Sequence, residues 1–451
     1  MARDLKHRLA QLRSAGFGGS GRGASPELPA GPDGVAPAPA AAAALPPPRR
    51  RLPGRGGSPP CLADWERAGD LVWMRELQRP LAFPETIDPL PFSAFGSLRR
   101  LGAAGGPSGE RIPAEALRFF DLETTGLSGG SGTLAFLAAV GRLSEGCLAI
   151  TQFFLEDFPG ERLWLELLST SIPPGAVLVT YNGRAFDLPL LRSRCVMNGL
   201  SPPDARHIDA LPCSRRLWRR IHGGASLGLL ERRLLDFERG EDLCAAAIPG
   251  VWFSFLRESD SPLMAAVMSH NADDIEGLAA LVASIRELFE NPTALPRPLV
   301  DLDSLGRTLV AMGREAEGAA VLRSAFEGGD ETAGLRLSNL YRRAGRRAER
   351  RKLLANLPLT CRSCVERAKF CEHVEREWVE ALKWTLLAQE LAEAGKPGLR
   401  SSLERRRRRL ERLLSKDGNI DHDEQAGFSS GVESSGGRKG KGGGRPSRGR
   451  L

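Results

Sequence analysis

Residues 117–127 read Leu-Arg-Phe-Phe-Asp-Leu-Glu-Thr-Thr-Gly-Leu, a short apolar run that ends in acids. In a β-strand residues i and i+2 face the same way, so the carboxylates of Asp121 and Glu123 project together. Like charges side by side repel, a cost that makes sense where divalent cations sit between them. Thr124-Thr125-Gly126-Leu127 then turns the chain. A lone D-x-E pair is more often a solvated strand end, so the surrounding pattern has to decide.

Working outward, Leu134–Val140 and Gln152–Leu155 read as two further apolar strands, Glu161–Thr170 as a helix and Ala176–Thr180 as a buried strand. Phe186–Asn198 reads as a helix with Pro189 in its first turn, where proline is tolerated. A long helix runs from about Pro262 to Phe289, and Asn291-Pro292, Pro296 and Pro298 form a linker. Strands alternating with helices predict an α/β domain.

Two more acidic sites fall on these elements. Tyr181-Asn182-Gly183-Arg184-Ala185-Phe186-Asp187 opens a helix and sets Asp187 at its N-terminus, a position that also suits a capping acid. His270-Asn271-Ala272-Asp273-Asp274 lies on the long helix, with His270 and Asp274 at i and i+4 on one face. Each alone has a bland reading. Together, four carboxylates on a strand, a helix start and a later helix suit a phosphodiester site with two metal ions, and a histidine beside the last acid can orient or deprotonate water.

The stretches FFDLETTGLSGGSGTLAFLAAVG, TYNGRAFDLPLLRSR and HNADDIEGLAAL resemble the three motifs of the DEDD-type 3′–5′ exonucleases of the ribonuclease H-like superfamily. With HIDAL at 207–211, SLGLLERRLLDFERGEDL and IPGVWFSFLRESD, the chain is similar over residues 63–395 to a bacterial family that joins such a domain to tetratricopeptide-like repeats. The resemblance implies a ribonuclease H-like mixed sheet flanked by helices, then an all-α helical-repeat domain. It implies Asp121, Glu123, Asp187 and Asp274 as ligands of two Mg²⁺ or Mn²⁺ ions, with His270 catalytic. His270 stands where the family usually has tyrosine, and Asp274 rather than Asp273 keeps the family spacing. Thr124, Asn182, Arg215 and Arg216 are expected to contact substrate, a single-stranded 3′ end of DNA or RNA. Tyr181 and Phe186 read as core. Asp209 either supports the site or belongs to a surface loop.

The 451 residues suggest two to four domains at roughly 100–200 residues each. Expected boundaries are 1–60 (disordered and basic, with a short amphipathic helix), 61–110 (an irregular lead-in), 111–292 (exonuclease domain), 299–400 (helical repeats) and 401–451 (basic helix and disordered tail). The repeat signal is Gly-Arg at 313–314 and again at 345–346, each closing an apolar helix, near the ~34-residue tetratricopeptide period. A third unit, 372–393, has Ala381, Leu382, Leu386 and Leu391 on one helical face. Such hairpins also suit a protein partner.

The net charge of +8 invites a nucleic-acid reading, but the charge sits at the ends. Residues 1–60 carry 9 basic and 3 acidic side chains, and residues 428–451 carry 6 and 1, so the remaining middle is at −3. Within it, Arg206, Arg215, Arg216, Arg219, Arg220, Arg232, Arg233 and Arg239 are candidate phosphate contacts or a solvated face. Cys361, Cys364, Cys371 and His373 offer zinc-ligand types at a spacing that fits no common finger. Scattered cysteines, no apolar leader and no run of ~20 apolar residues predict a cytoplasmic protein with no membrane span. A non-catalytic binding or scaffold protein is the alternative.

Overall fold

The computed structural model describes residues 60–94, 98–100, 111–126, 132–144, 146–235, 237, 239, 245–258, 262–294, 299–392 and 397–426. The expectations for residues 1–59 and for the tail beyond 426 lie outside them. Ten strands are described: β1 (Glu66–Gly69), β2 (Val72–Pro80), β3 (Thr86–Ile87), β4 (Leu98–Arg100), β5 (Ile112–Pro113), β6 (Leu117–Thr124), β7 (Ala135–Ser144), β8 (Cys147–Leu155), β9 (Val177–Thr180) and β10 (Arg206–Asp209). Eight form one sheet in the order β1-β2-β8-β7-β6-β9-β10-β4. Strands β1 to β6 in this order pair antiparallel, β6–β9 and β9–β10 are parallel, and β4 is antiparallel at the far edge.

Helices cover both faces: α1 (Leu90–Ala94), α2 (Glu161–Thr170), α3 (Asp187–Met197), α4 (Ala210–His222), α5 (Leu227–Leu230), α6 (Ile248–Glu258) and α7 (Pro262–Glu290). Central strands sealed on two sides should read as continuous apolar runs, and β7 and β9 do. Phe120, Leu122, Phe136, Trp164 and Trp252 form one apolar layer. Phe119, Ala139, Ile150, Val179, Ile208 and much of α7 form the other. Asp121 and Glu123 share strand parity with Phe119, so they face the α7 side.

The expected irregular lead-in at 61–110 instead contributes β1 and β2. The latter pairs with β8 in continuous register from Val72–Leu155 to Pro80–Cys147. Neighbouring prolines and scattered tryptophans hide this strand, whose partner lies some seventy residues downstream.

The chain divides into two compact units, one running to Ala333 and one from Gly334. The first therefore takes in the hairpin α8 (Leu302–Ala311) and α9 (Glu315–Glu327), expected with the repeats. Leu305, Leu309 and Val321 share the apolar cluster of α4 and α7. Helix α10 (Glu331–Arg343) crosses the division, and the second unit continues with α11 (Arg347–Asn356), α12 (Cys361–Phe370), α13 (Trp378–Glu390) and α14 (Pro397–Ala426). The repeat signal has a local counterpart. Gly313 and Gly345 both have positive φ, and the arginine after each donates its backbone N–H five residues back, to Leu309 and Tyr341, at 2.9 Å.

The face expected on the third helical unit is different. A π turn, Cys371–Glu375, and Arg376 at φ 61° break the chain before α13. Of the expected face, α13 buries Ala381 and half-buries Leu382, adds Thr385 and Ala388, and leaves Leu386 exposed together with Leu391 just past its end. In the basic helix α14, Leu403 and Leu410 are buried, and Arg406 and Arg409 both pair with the buried Glu372. No helix among the described residues is long and apolar enough to cross a membrane.

Candidate active site

Strand β6 delivers Asp121 and Glu123, the start of α3 delivers Asp187, and the middle of α7 delivers His270, Asn271 and Asp274. Glu123, His270 and Asp274 each offer a ligand atom within 4.8 Å of the others. Asp121 accepts a 2.9 Å hydrogen bond at Oδ2 from Asn271 Nδ2. Burial pushes the Asp121 and Glu123 carboxyls well above the ordinary range, and the charges of Asp274 and Asp187 add to it. Burial likewise lifts Asp187 to about 7, against backbone N–H contacts that favour its ionised form. The four acids thus crowd one region, and Asp121, Glu123 and Asp187 resist ionisation there.

One positive charge is built in. Arg239 is nearly enclosed and grips the fully buried Glu231 through two hydrogen bonds, Nε at 2.6 Å and Nη2 at 2.7 Å. Its Nη2 also donates to Asp274, and Nη1 lies 3.1 Å from His270 Nδ1. A guanidinium only donates, so Nδ1 accepts and the imidazole proton sits on Nε2, 3.5 Å from Asp274 Oδ2. Both ring nitrogens therefore face partners, and His270 belongs to the carboxylate cluster as much as to any water. Asp273 is half-buried beside them, and burial raises its carboxyl against the lowering charges of Arg239 and Arg79.

The turn that presents Asp187 is held from below. Asp209 is buried, caps α4 through Leu211 N (3.0 Å) and accepts from the backbone N–H of Asn182 (2.9 Å) and Arg184 (3.3 Å). It is neither a surface-loop acid nor a member of the cluster; it shapes the β9–α3 turn, in which Asn182 takes φ 70°. Thr180 Oγ1 accepts from Gly183 N at 3.1 Å and lies 2.8 Å from Nε2 of the buried His207. Burial pushes His207 down to about 4.

Other expected contacts scatter. Thr124 Oγ1 donates to Gly126 O at 2.9 Å, closing the turn after β6. Arg215 and Arg216 are exposed on α4, whereas Arg220 is committed to Asp301 (2.7 Å) and Asp330 (3.0 Å). Tyr181 is half-buried, its hydroxyl donating to Ala225 O, but Phe186 is 51% exposed rather than core. It precedes Asp187 at the helix start, where its side chain has no layer to enter. Cys364 and Cys371 are buried apolar thiols and His373 is exposed; among the described residues the ligand cluster at 4.8 Å spacing is Glu123, His270 and Asp274.

Sequence reasoning missed three members of this region. Asn271 sits inside the third motif and could have been weighed there. Arg239 was one of eight arginines treated alike. Gln152, on β8, carries no local signal.

The chain is 29% identical over 361 residues to an uncharacterized protein, YprB, of Bacillus subtilis, a match covering 74% of this chain and 86% of that one. Residues 118–286 match a family model described as RNase_H superfamily, and this span takes in β9, nearly all of β6 and α7, and every member of the acidic cluster. Residues 118–286 therefore form an RNase H superfamily domain, a fold that points to nucleic-acid hydrolysis.

Proposed function

We propose that the protein is a divalent-metal-dependent 3′–5′ exonuclease of DNA or RNA that works by a two-metal mechanism. The observation that carries this reading is the crowding of Asp121, Glu123 and Asp187 around Asp274: burial and the neighbouring charges push the Asp121, Glu123 and Asp187 carboxyls upward, which a bound cation would relieve. The donor set fits a hard divalent ion: carboxylate oxygens from Glu123 and Asp274 approach one another, with Asp121 and Asp187 beside them. Asp121, Glu123, Asp187 and Asp274 would hold Mg²⁺ or Mn²⁺. Bound there, the ions supply Lewis-acid stabilisation of the phosphoryl oxygens and an activated water.

The chain's own residues do the rest. His270, fixed in its Nε2–H form by Arg239, orients groups beside Asp274. Arg239 keeps a positive charge at the cluster, and Asp209 fixes the turn that carries Asp187. Phe186, exposed beside Asp187, offers a ring on which a terminal base of a single strand can stack. Arg215 and Arg216 supply non-specific phosphate attraction from the exposed face of α4. The helical hairpins are read as tetratricopeptide-like units that engage a protein partner, and the protein as cytoplasmic. The exonuclease domain expected at 111–292 is extended by β1, β2 and the hairpin Leu302–Glu327, and the helices from Gly334 onward are read as the repeats.

The test is hydrolysis of 5′-labelled single strands of DNA and RNA by the full chain, with Mn²⁺ or EDTA, beside Asp121→Ala. Stepwise shortening from the 3′ end that needs both Mn²⁺ and Asp121 is expected. No shortening of any strand would leave the binding or scaffold reading.

A further inference from the structure

Resting on that active-site reading, we infer that Gln152 and Arg75 are positioning residues for Asp121, acting through Asn271, and that the sheet extension outside the RNase H superfamily match completes the site. The observation is a chain of hydrogen bonds with a single direction. Arg75 Nε donates to Gln152 Oε1 at 2.7 Å. Gln152 Nε2 donates to Asn271 Oδ1 at 2.9 Å and to Met268 O at 2.8 Å. Asn271 Nδ2 donates to Asp121 Oδ2 at 2.9 Å.

The direction follows from chemistry. An amide can be turned end for end, and its orientation is set by what its partners can do. A guanidinium has donors and no acceptor, so Arg75 compels Gln152 to present its oxygen to it and its NH₂ to Asn271. Asn271 must then accept with Oδ1 and donate with Nδ2. Gln152 and Asn271 are both fully buried, so no water can substitute for a wrong partner. The end of the relay is a donor aimed at one oxygen of Asp121, which fixes the carboxylate's rotation and leaves the other oxygen free for a cation.

The starting point is itself anchored. Arg75 lies on β2, stacks on Trp65 at 4.7 Å and pairs with Asp64 at 2.9 Å. All three precede residue 118, where the superfamily match begins. Strand β2 is held against β8 by continuous pairing, with Arg75 opposite Gln152 in register. The strands that extend the sheet thus reach the active site through two amides.

Gln152→Glu tests the relay, because a carboxylate accepts from Arg75 but cannot donate to Asn271. Asn271 must then turn its NH₂ toward residue 152 and present an oxygen to Asp121. Arg75→Met removes the directing donor from a side chain that is only 14% exposed, and Arg75→Lys restores one. On the full chain without nucleic acid, Mn²⁺ affinity is measured by calorimetry, beside kcat and KM on a labelled single strand and a melting curve for each variant. Loss of a partner one step out from a ligand costs about 10–100-fold in metal affinity. By turning the Asn271 amide that touches Asp121, Gln152→Glu should weaken Mn²⁺ in that range and lower kcat with KM nearly unchanged. Arg75→Met, three steps out and with Met268 O still holding Gln152, should do both to a smaller extent, and Arg75→Lys should recover most of that loss. Wild-type Mn²⁺ affinity in a folded Arg75→Met or Gln152→Glu would overturn the relay while Asp121→Ala still abolishes binding. Unchanged Mn²⁺ binding in Asp121→Ala would overturn the site reading and the relay with it.

Discussion

Replacing Arg239 by Met should expose how much of the first unit's stability hangs on one buried ion pair. Glu231 is 0% exposed and Arg239 8% exposed at the side chain, so solvent screens the pair little. Removing one partner of such a pair costs about 3–5 kcal/mol, because the other charge stays buried alone. Glu231 has an escape, which is to take up a proton. Burial already pushes its carboxyl above the ordinary 4.5 even with Arg239 in place. Holding that carboxyl protonated at pH 7 costs about 1.4 kcal/mol per pH unit above 4.5, or about 3.4 kcal/mol in all. The deficit of Arg239→Met against wild type should therefore be about 3–4 kcal/mol at pH 7. Its sign with pH is fixed. A carboxyl whose folded pKa is raised binds a proton that the unfolded chain has released, so the deficit shrinks as pH falls and ends near 4.5. Urea unfolding followed by tryptophan fluorescence at pH 7, 6 and 5 reads this directly. The double variant Glu231→Leu, Arg239→Met should recover part of the loss, since an apolar pair of similar volume removes the Glu231 charge and leaves only the more exposed Asp274 without its guanidinium. A deficit below roughly 1 kcal/mol at pH 7, or one that grows on acidification, would refute the account.

Three further outcomes follow from the same geometry. Mg²⁺ should raise the melting midpoint of the wild type by mass action, while metal-free Asp121→Asn should melt at or above metal-free wild type, one repelling carboxylate having gone, and lose the Mg²⁺ increment; an undiminished increment would count against Asp121 as a ligand. His207, pushed down from 6.5 to about 4, should make stability present above pH 6.5 fall by about 3 kcal/mol as pH drops through 4, and His207→Gln should flatten that dependence in urea titrations. Gly277→Ala would place a Cβ 1.7 Å from Glu231 Oε1, and because Arg239 pins that carboxylate the variant should lose about 1–3 kcal/mol and part of its nuclease rate, measured by melting and by strand shortening.

Much of the first unit was legible because its signals are local. The apolar runs of β6, β7 and β9 show in composition and period, and the acids cluster at strand ends and helix starts where the motifs stand. The helices α2, α3 and α7 fall within one or two residues of their expected limits. Three things were not legible. Strand β2 lacks clean alternation, and what makes it a strand is β8 beside it. The buried face of α13 includes the polar Thr385 and leaves Leu386 out, a choice that no hydrophobic pattern announces. The hairpin Leu302–Glu327 reads as a repeat unit, yet its apolar face is spent on α4 and α7.

The sequence alone determined the mixed α/β character, the order of the motif-bearing elements and the carboxylates that can hold a hard cation, Asp121, Glu123, Asp187 and Asp274, with His270 beside them. Tertiary structure alone decided which other groups meet them. Asn271 reaches Asp121 across 150 positions and Gln152 reaches Asn271 across 119, while Arg239 is drawn from a loop into the acids. Local periodicity encodes the face a residue takes on its own strand or helix, and says nothing about what arrives on that face from elsewhere. That is set by sheet order and by the packing of α7, and it turns four mutually repelling carboxylates into a site with one built-in cation and one directed hydrogen bond.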